Sequence, residues 1–142
     1  MLMKKISAFF VLFLVLVSNA AFSADNDQKL FVNLTSDEMN RAAMAIGFST
    51  KMLQENKVPV TIFLNVEGVR IADKSIPEHK HANGKSLKEM LAGFMKAGGN
   101  VIVCPMCMKN VGGLTKDDLV AGVKVGGTWA AMSAENTIVL SY

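Results

Sequence analysis

Two cysteines, Cys104 and Cys107, are the residues of this chain whose types and spacing could do chemistry together. Only Pro105 and Met106 separate them. In such a pair one thiolate can act as a nucleophile, and the second thiol can attack a sulfur atom bound to the first. The motif therefore predicts a thiol redox or sulfur-transfer site, with Cys104 as nucleophile or carrier and Cys107 as its resolving or protecting partner.

The residues around Cys104 indicate where this site lies in the fold. The apolar segment 100–103 predicts a β-strand that ends at Cys104, and Pro105 suits the first position of a following helical turn. In an open parallel sheet, ligands gather at the carboxyl ends of the strands. Unpaired backbone N–H groups at the start of the turn favour a thiolate, so we expect the pKa of Cys104 to be lowered.

Three other interpretations of the motif stay open at this point. The cysteines could form a plain structural disulfide in an oxidising compartment. A zinc site would combine the two cysteines with His79 and His81, although these histidines lie one residue apart and precede the cysteines, which is not the usual finger spacing. A Cu(I) carrier would use soft sulfur ligands and an imidazole, here Cys104, Cys107, Met106, Met108 and His81.

The first residues of the chain have the pattern of a secretory signal peptide. Two lysines, Lys4 and Lys5, precede an apolar run over 6–17, and small residues follow it. The apolar run is too short to span a bilayer comfortably as a helix. We therefore expect a signal peptide over 1–23, a single domain over 24–142, a periplasmic location, and no membrane contact after cleavage.

Composition limits the classes of partner. The chain has 142 residues, and removing the signal segment leaves 13 basic and 12 acidic residues, a net charge of +1. No stripe of Lys and Arg follows the chain, so we expect no nucleic-acid partner. The Gly84-Lys85-Ser86 triplet lacks the earlier glycine of a phosphate-binding loop, since His79 stands there. We expect no nucleotide and no other cofactor.

Strands and helices are predicted to alternate along the chain, which is typical of a parallel sheet with helices on its faces. Thr35 with Glu38, and Ser86 with Glu89, have the spacing of capping boxes that start helices. The segment from 67 to 85 has no clear periodicity and predicts a binding loop. The expected strands are 30–34, 60–66, 100–103, 123–125 and 137–140. The expected helices are 37–55, 86–97, 105–110, a start at 115, and 128–134.

The order of these segments resembles the DsrE/DsrF-like family. The likeness covers about residues 29–142 and includes the strand ending VIVC, a Gly-Gly pair eight residues later, the LTKDDL helix start, the GVKVGG segment and the closing AENTIVLSY. The resemblance implies an α/β/α sandwich of three layers around a mostly parallel, five-stranded sheet. It also implies a homo-oligomer, a trimer or a hexamer.

In the sulfur-relay members of that family, a cysteine after the corresponding strand carries a persulfide and passes it to another protein thiol. Cys104 falls on that position, whereas Cys107 and the proline between the cysteines are additional. The relay members are cytoplasmic, whereas we expect this chain to be exported. The resemblance therefore implies a carrier or sulfurtransferase-like protein that exchanges sulfur with a thiol or persulfide, either on a protein or in a small sulfur compound, outside the cytoplasm.

Overall fold

The structure is a computed structural model, and it describes residues 27–142. The predicted signal peptide over 1–23 lies outside the described residues. The strands are β1 (Lys29–Leu34), β2 (Val60–Leu64), β3 (Asn100–Val103), β4 (Lys124–Val125) and β5 (Thr137–Ser141). The α-helices are α1 (Met39–Glu55), α2 (Leu87–Lys96), α3 (Pro105–Asn110) and α4 (Trp129–Met132). Two 3-10 helices span Val66–Ala72 and Lys116–Asp118. No helix within 27–142 is long and apolar enough to cross a membrane.

The five strands form one parallel sheet in the order β4-β3-β2-β1-β5. From β1 to β4 the chain always moves in one direction across the sheet, so right-handed crossovers place α1 and α2 on the same face. The connection from β4 to β5 returns to the opposite edge, and this places α4 on the other face. The predicted sandwich of three layers around a five-stranded parallel sheet is confirmed.

The core fills the layer between the sheet and the α1–α2 pair. Alternate residues of the central strands point into it, and α1 contributes small side chains that let it lie close to the strands. The buried strand residues are Leu30, Val32, Leu34, Val60, Ile62, Leu64, Val101 and Val103. This packing fixes the carboxyl ends of β1, β2 and β3 side by side at one edge.

One of the two predicted capping boxes is wrong. Glu38 is itself the N-cap of α1, where its two carboxylate oxygens accept the N–H groups of Asn40 at 3.0 Å and Arg41 at 2.8 Å. The Thr35 hydroxyl instead donates to the Tyr142 carbonyl at 2.7 Å, so it ties β1 to the end of β5. The helix therefore begins at Met39 rather than at residue 37.

The second capping box is confirmed at the start of α2. The Ser86 hydroxyl accepts the Glu89 N–H at 3.2 Å, and the Glu89 carboxylate accepts the Ser86 N–H at 2.7 Å. The helix start predicted near Thr115 is a single 3-10 turn, in which the Asp118 carboxylate accepts the Thr115 N–H at 2.8 Å.

The segment after β2 differs from its prediction. The strand ends at Leu64 instead of Val66, and residues predicted as a loop form the first 3-10 helix, Val66–Ala72. Val69, Ile71 and Ala72 are buried in the core. The cause is tertiary packing, because these apolar side chains cover the ends of the strands rather than following any helical period.

Candidate functional site

Cys104 lies at the junction of β3 and α3. Its backbone N–H donates to the Leu64 carbonyl at 2.9 Å, which continues the pairing of β3 with β2. It is also the N-cap of α3, and its Sγ accepts the backbone N–H of Cys107 at 3.5 Å. Pro105 occupies the first turn of the helix, as the sequence predicts. Both cysteines are partly buried free thiols.

At the carboxyl edge of the sheet, the connections that follow the neighbouring strands β3 and β4 leave toward opposite faces. The chain leaves β3 toward the face that carries α1 and α2, whereas it leaves β4 toward the opposite face. Such a topological switch point is where open α/β sheets form ligand-binding crevices. A Cβ atom on Gly126 or Gly127, which directly follow β4, would meet nothing within 4 Å. The backbone at the end of β4 therefore leaves open space at this edge.

The side chains of α3 divide between the core and solvent. Met108 is 8% exposed and belongs to the core, whereas Met106 is 67% exposed. Cys107 is partly buried and packs against the core. The short helix therefore directs Cys107 inward beside Cys104 and leaves Met106 at the surface.

The start of the first 3-10 helix contacts Cys107. The Val66 backbone N–H forms a hydrogen bond with the Cys107 sulfur, which by itself lowers the pKa of that thiol. Burial, the thiol hydrogen bond to Cys104, the charge of Cys104 and the carboxylate of Glu67 all act in the opposite direction. The net result is a raised pKa for Cys107, so this thiol keeps its proton at a higher pH than an ordinary cysteine does.

The backbone at Val66 has a conformation that is rare for its residue type. Its φ is +48°, in the left-handed region that a β-branched residue avoids, and its side chain is 42% exposed. The following Gly68 donates its N–H to the carbonyls of Asn65 at 2.9 Å and Thr35 at 3.1 Å. These bonds hold the turn closed and keep the backbone of Val66 and Glu67 against α3.

A row of polar side chains crosses the same edge of the sheet. The Asn65 side-chain Nδ2 donates to Asn33 Oδ1 at 2.6 Å, and Asn33 Nδ2 donates to the Ser141 hydroxyl at 3.3 Å. The side-chain oxygen of Asn65 is buried without a hydrogen-bond partner among the described residues. Because β2 pairs Leu64 with Val103, Asn65 is the neighbour of Cys104 in the next register position. The carboxyl edge of the sheet beside Cys104 is therefore polar, and the row formed by Asn65, Asn33 and Ser141 contains no positively charged side chain.

The histidines lie elsewhere in the molecule. His81 lines a groove along α1 with Asn40 and Met44, and His79 lines another with Asp37. Of the five side chains in the copper hypothesis, the structure joins Cys104 and Cys107, places Met108 in the core and puts His81 beside α1. Within 27–142, no three His, Cys, Asp or Glu side chains are grouped to hold a metal ion.

Sequence reasoning missed Val66, Glu67 and the two asparagines. The sequence did contain one signal for the turn at Val66 and Glu67. Gly68 follows a predicted buried strand closely, and a glycine in that position indicates close approach of two backbone segments. The asparagine row had no comparable signal, since it depends on β5 pairing beside β1 and on the order of strands in the sheet.

Comparisons with known proteins give a family and a fold. The sequence profile described as the DsrE/DsrF-like family matches residues 12–141. Among solved structures, the crystal structure of the ychN protein from E. coli matches with a TM-score of 0.64 and 19% sequence identity. That match covers 81% of this chain and 99% of the other. No curated protein sequence matches the chain. At this identity, the structural likeness shows the fold alone.

Proposed function

Because the chain belongs to the DsrE/DsrF-like family, we propose that it is a thiol protein that accepts sulfane sulfur on Cys104 and passes it to another thiol. Its fold is of the sulfur-relay type. The observation that carries the proposal is the hydrogen bond from the Cys107 N–H to Cys104 Sγ at the carboxyl end of β3. An N–H donor directed at the sulfur stabilises a thiolate there, and the thiolate is the nucleophile.

The transfer step needs no cofactor. The Cys104 thiolate attacks the outer sulfur of a donor persulfide, R–S–SH, and a new S–S bond forms as the S–S bond of the donor breaks. The products are Cys104–S–SH and the donor thiolate, R–S⁻. Delivery is the same exchange, in which an acceptor thiolate attacks the outer sulfur and Cys104 leaves as a thiolate.

Cys107 governs what happens to the carried sulfur. If the Cys107 thiolate attacks the inner sulfur of the persulfide, a Cys104–Cys107 disulfide forms and hydrosulfide leaves. In that step the two thiols are oxidised and the sulfane sulfur is reduced. The raised pKa of Cys107 keeps this thiol protonated and slows that attack. The persulfide on Cys104 therefore lasts longer beside a protonated Cys107 than it would beside an ionised one, although Cys107 still removes it in time.

The proposal places this chemistry outside the cytoplasm. The N-terminal residues have the pattern of a secretory signal, and we propose that the mature protein works in the periplasm as a homo-oligomer, a trimer or a hexamer. Its donor and acceptor are persulfides or thiols on proteins or small sulfur compounds. We do not propose a copper carrier, because Met108 belongs to the core and His81 lies beside α1.

Intact mass tests the proposal directly. The reduced protein is incubated with a small-molecule persulfide, and its mass is compared with that of Cys107→Ser and Cys104→Ser. We expect Cys107→Ser to gain the mass of one sulfur atom on Cys104 and to keep it longest. The unchanged chain should gain it and then lose it as the disulfide forms, whereas Cys104→Ser should gain none. The two variants are matched, since each removes one thiol of the same pair.

Failure is equally clear. If neither the unchanged chain nor Cys107→Ser gains a sulfur atom, Cys104 is not a sulfur carrier. If the cysteines form a disulfide that resists mild reductants and whose removal only lowers stability, the pair is a structural link.

A further inference from the structure

Glu67 places a negative charge near the Cys107 thiol. It lies in the first turn of the 3-10 helix Val66–Ala72, exposed to solvent, and this helix packs against α3. Its carboxylate acts on Cys107, where it is one cause of the raised pKa. Cys107 in turn is joined to Cys104 by the thiol hydrogen bond and by its N–H. A donor that approaches Cys104 therefore comes under the influence of this carboxylate.

Nearby cations do not neutralise Glu67. Arg70, on the same 3-10 helix, is paired with Asp37 at 3.1 Å, and Glu67 has no ion pair within 27–142. Lys109 is two residues from Cys107 on α3, a spacing that puts the two side chains on different faces of a helix. Lys124 of β4 donates to the Asn100 side chain at 2.8 Å. Among the described residues, no ion pair therefore offsets the negative charge that Glu67 places near Cys107.

We propose, on the basis of the proposed function, that Glu67 is a specificity-determining residue: the site takes sulfur from uncharged donor groups in preference to anionic ones. The polar row beside Cys104 consists of amides and a hydroxyl, so it adds no full positive charge that would cancel the effect of Glu67. The disfavoured class includes sulfur oxyanions such as thiosulfate. The favoured class is a persulfide whose substituent carries no negative charge, including a persulfide on a neutral protein surface.

The chemistry of transfer is the same for both classes, and only the charge of the group that approaches differs. A persulfide R–S–SH gives up its outer sulfur and leaves as R–S⁻. Thiosulfate gives up its outer sulfur in the same way and leaves as sulfite. An anionic R meets the Glu67 carboxylate before either S–S bond changes. Glu67 therefore acts on the approach of the donor and takes no part in bond making.

The expected size of the effect is modest because Glu67 is exposed. Two unit charges at contact distance in water change a rate by about fivefold, and thiosulfate, with two charges, is affected more. Salt must reduce the effect, since the Debye length falls from about 10 Å at 0.1 M to about 3 Å at 1 M.

Two matched donors isolate the charge of the substituent. They are 2-hydroxyethyl persulfide and 2-carboxyethyl persulfide, which share the reacting group and differ by one carboxylate. All proteins carry Cys107→Ser, so that only Cys104 can take up sulfur, and uptake is followed by intact mass at low and high salt. Glu67→Gln removes the charge and Glu67→Asp retains it. Glu55→Gln is the control. It makes the same change in net charge at the last residue of α1, away from the carboxyl edge of the sheet that carries the cysteines.

We expect the hydroxyethyl donor to react about fivefold faster than the carboxyethyl donor at low salt. The ratio should fall toward one at 1 M salt. It should also be near one in Glu67→Gln at either salt concentration, and thiosulfate uptake should rise in that variant. Glu67→Asp and Glu55→Gln should keep the original ratio.

A ratio near one at low salt with Glu67 present would overturn the inference, as would a ratio that Glu67→Gln leaves unchanged. The salt dependence is measured on the protein that retains Glu67, so it gives an answer even if Glu67→Gln folds poorly. If no donor loads Cys104, the proposed function fails. If all donors load it at equal rates, only the specificity of Glu67 fails.

Discussion

Gly68 lies directly against the carbonyl group of Leu34. A Cβ atom on residue 68 would be 2.3 Å from that carbonyl oxygen, a separation at which the backbone would have to move. The contact fixes the 3-10 helix Val66–Ala72 to the carboxyl end of β1. Because Val66 and Glu67 immediately precede Gly68, the same contact sets their position beside Cys107.

Substitution of Gly68 by alanine should therefore destabilise the fold and disturb the site together. The added methyl group can be accommodated only by shifting the 3-10 helix away from β1, and overpacking of this kind costs about 1–3 kcal/mol. Thermal or urea unfolding measures the loss. Gly93→Ala is the control, since a Cβ atom there meets nothing within 4 Å and lies in a helix. An unchanged stability for Gly68→Ala would contradict the close contact.

Replacement of Val66 by glycine should stabilise the protein. Val66 holds a φ of +48°, and a strained backbone of this type costs about 1–3 kcal/mol, of which glycine would relieve the larger part. The N–H that contacts Cys107 is retained. We expect a net gain of about 1 kcal/mol in the free energy of unfolding.

The same substitution at Val139 provides the matched comparison. Val139 is 46% exposed, close to the 42% of Val66, but it lies in the regular strand β5. Val139→Gly should lower stability, because glycine in a strand is unfavourable. Opposite signs for the two changes would confirm the strain at residue 66, and a loss at both positions would disprove it.

The sequence predicts most of the framework that carries Cys104. The strand over 100–103 is short and apolar, Pro105 marks the start of a helix, and both features follow from local chemistry. The alternation of strands and helices is also sufficient to predict a parallel sheet, since parallel strands need helical crossovers. These properties depend on residues close together in the chain, and the structure confirms them.

The surroundings of Cys107 could not be predicted in the same way. The segment 66–72 has no helical period, and its position follows from Gly68 packing against β1, more than 30 residues earlier in the chain. The Thr35 hydroxyl had a plausible local partner at Glu38, yet it bonds to Tyr142 at the end of β5. In both cases a tertiary contact replaced the local alternative that the sequence pattern favoured.

The Ser86–Glu89 capping box should make the stability of α2 depend on pH. The hydrogen bond from the Ser86 N–H is the larger cause that lowers the pKa of Glu89 below its ordinary range, and the positive charge of Lys80 is the next. The contribution of the Glu89 carboxylate is therefore complete above the ordinary pKa of glutamate and is lost as the pH falls through the lowered value. We expect Glu89→Gln to be less stable than the unchanged chain at neutral pH, with the difference vanishing in acid.

Ser86→Ala tests the other half of the box. It removes the acceptor of the Glu89 N–H, and loss of a serine N-cap costs about 1 kcal/mol. Ser133→Ala, which also removes one hydroxyl hydrogen bond but at an exposed position, should change stability by less.

If the difference in stability between Glu89→Gln and the unchanged chain is the same at every pH, the carboxylate of Glu89 is not the stabilising group.

The ionisation of Cys107 provides the last prediction. Burial, Cys104 and Glu67 raise its pKa against the opposing Val66 N–H, so its alkylation by iodoacetamide should reach half of its maximal rate above the ordinary pH range of thiols. Since the folded state binds this proton more tightly than the unfolded state, the stability it contributes is present below that range and is lost as the pH rises through the raised pKa. Peptide mapping after timed alkylation separates Cys107 from Cys104. Cys104→Ser and Glu67→Gln should each move the Cys107 midpoint to lower pH, and Glu55→Gln should leave it in place. If neither variant moves the pH of half-maximal alkylation of Cys107, Cys104 and Glu67 do not raise the pKa of this thiol.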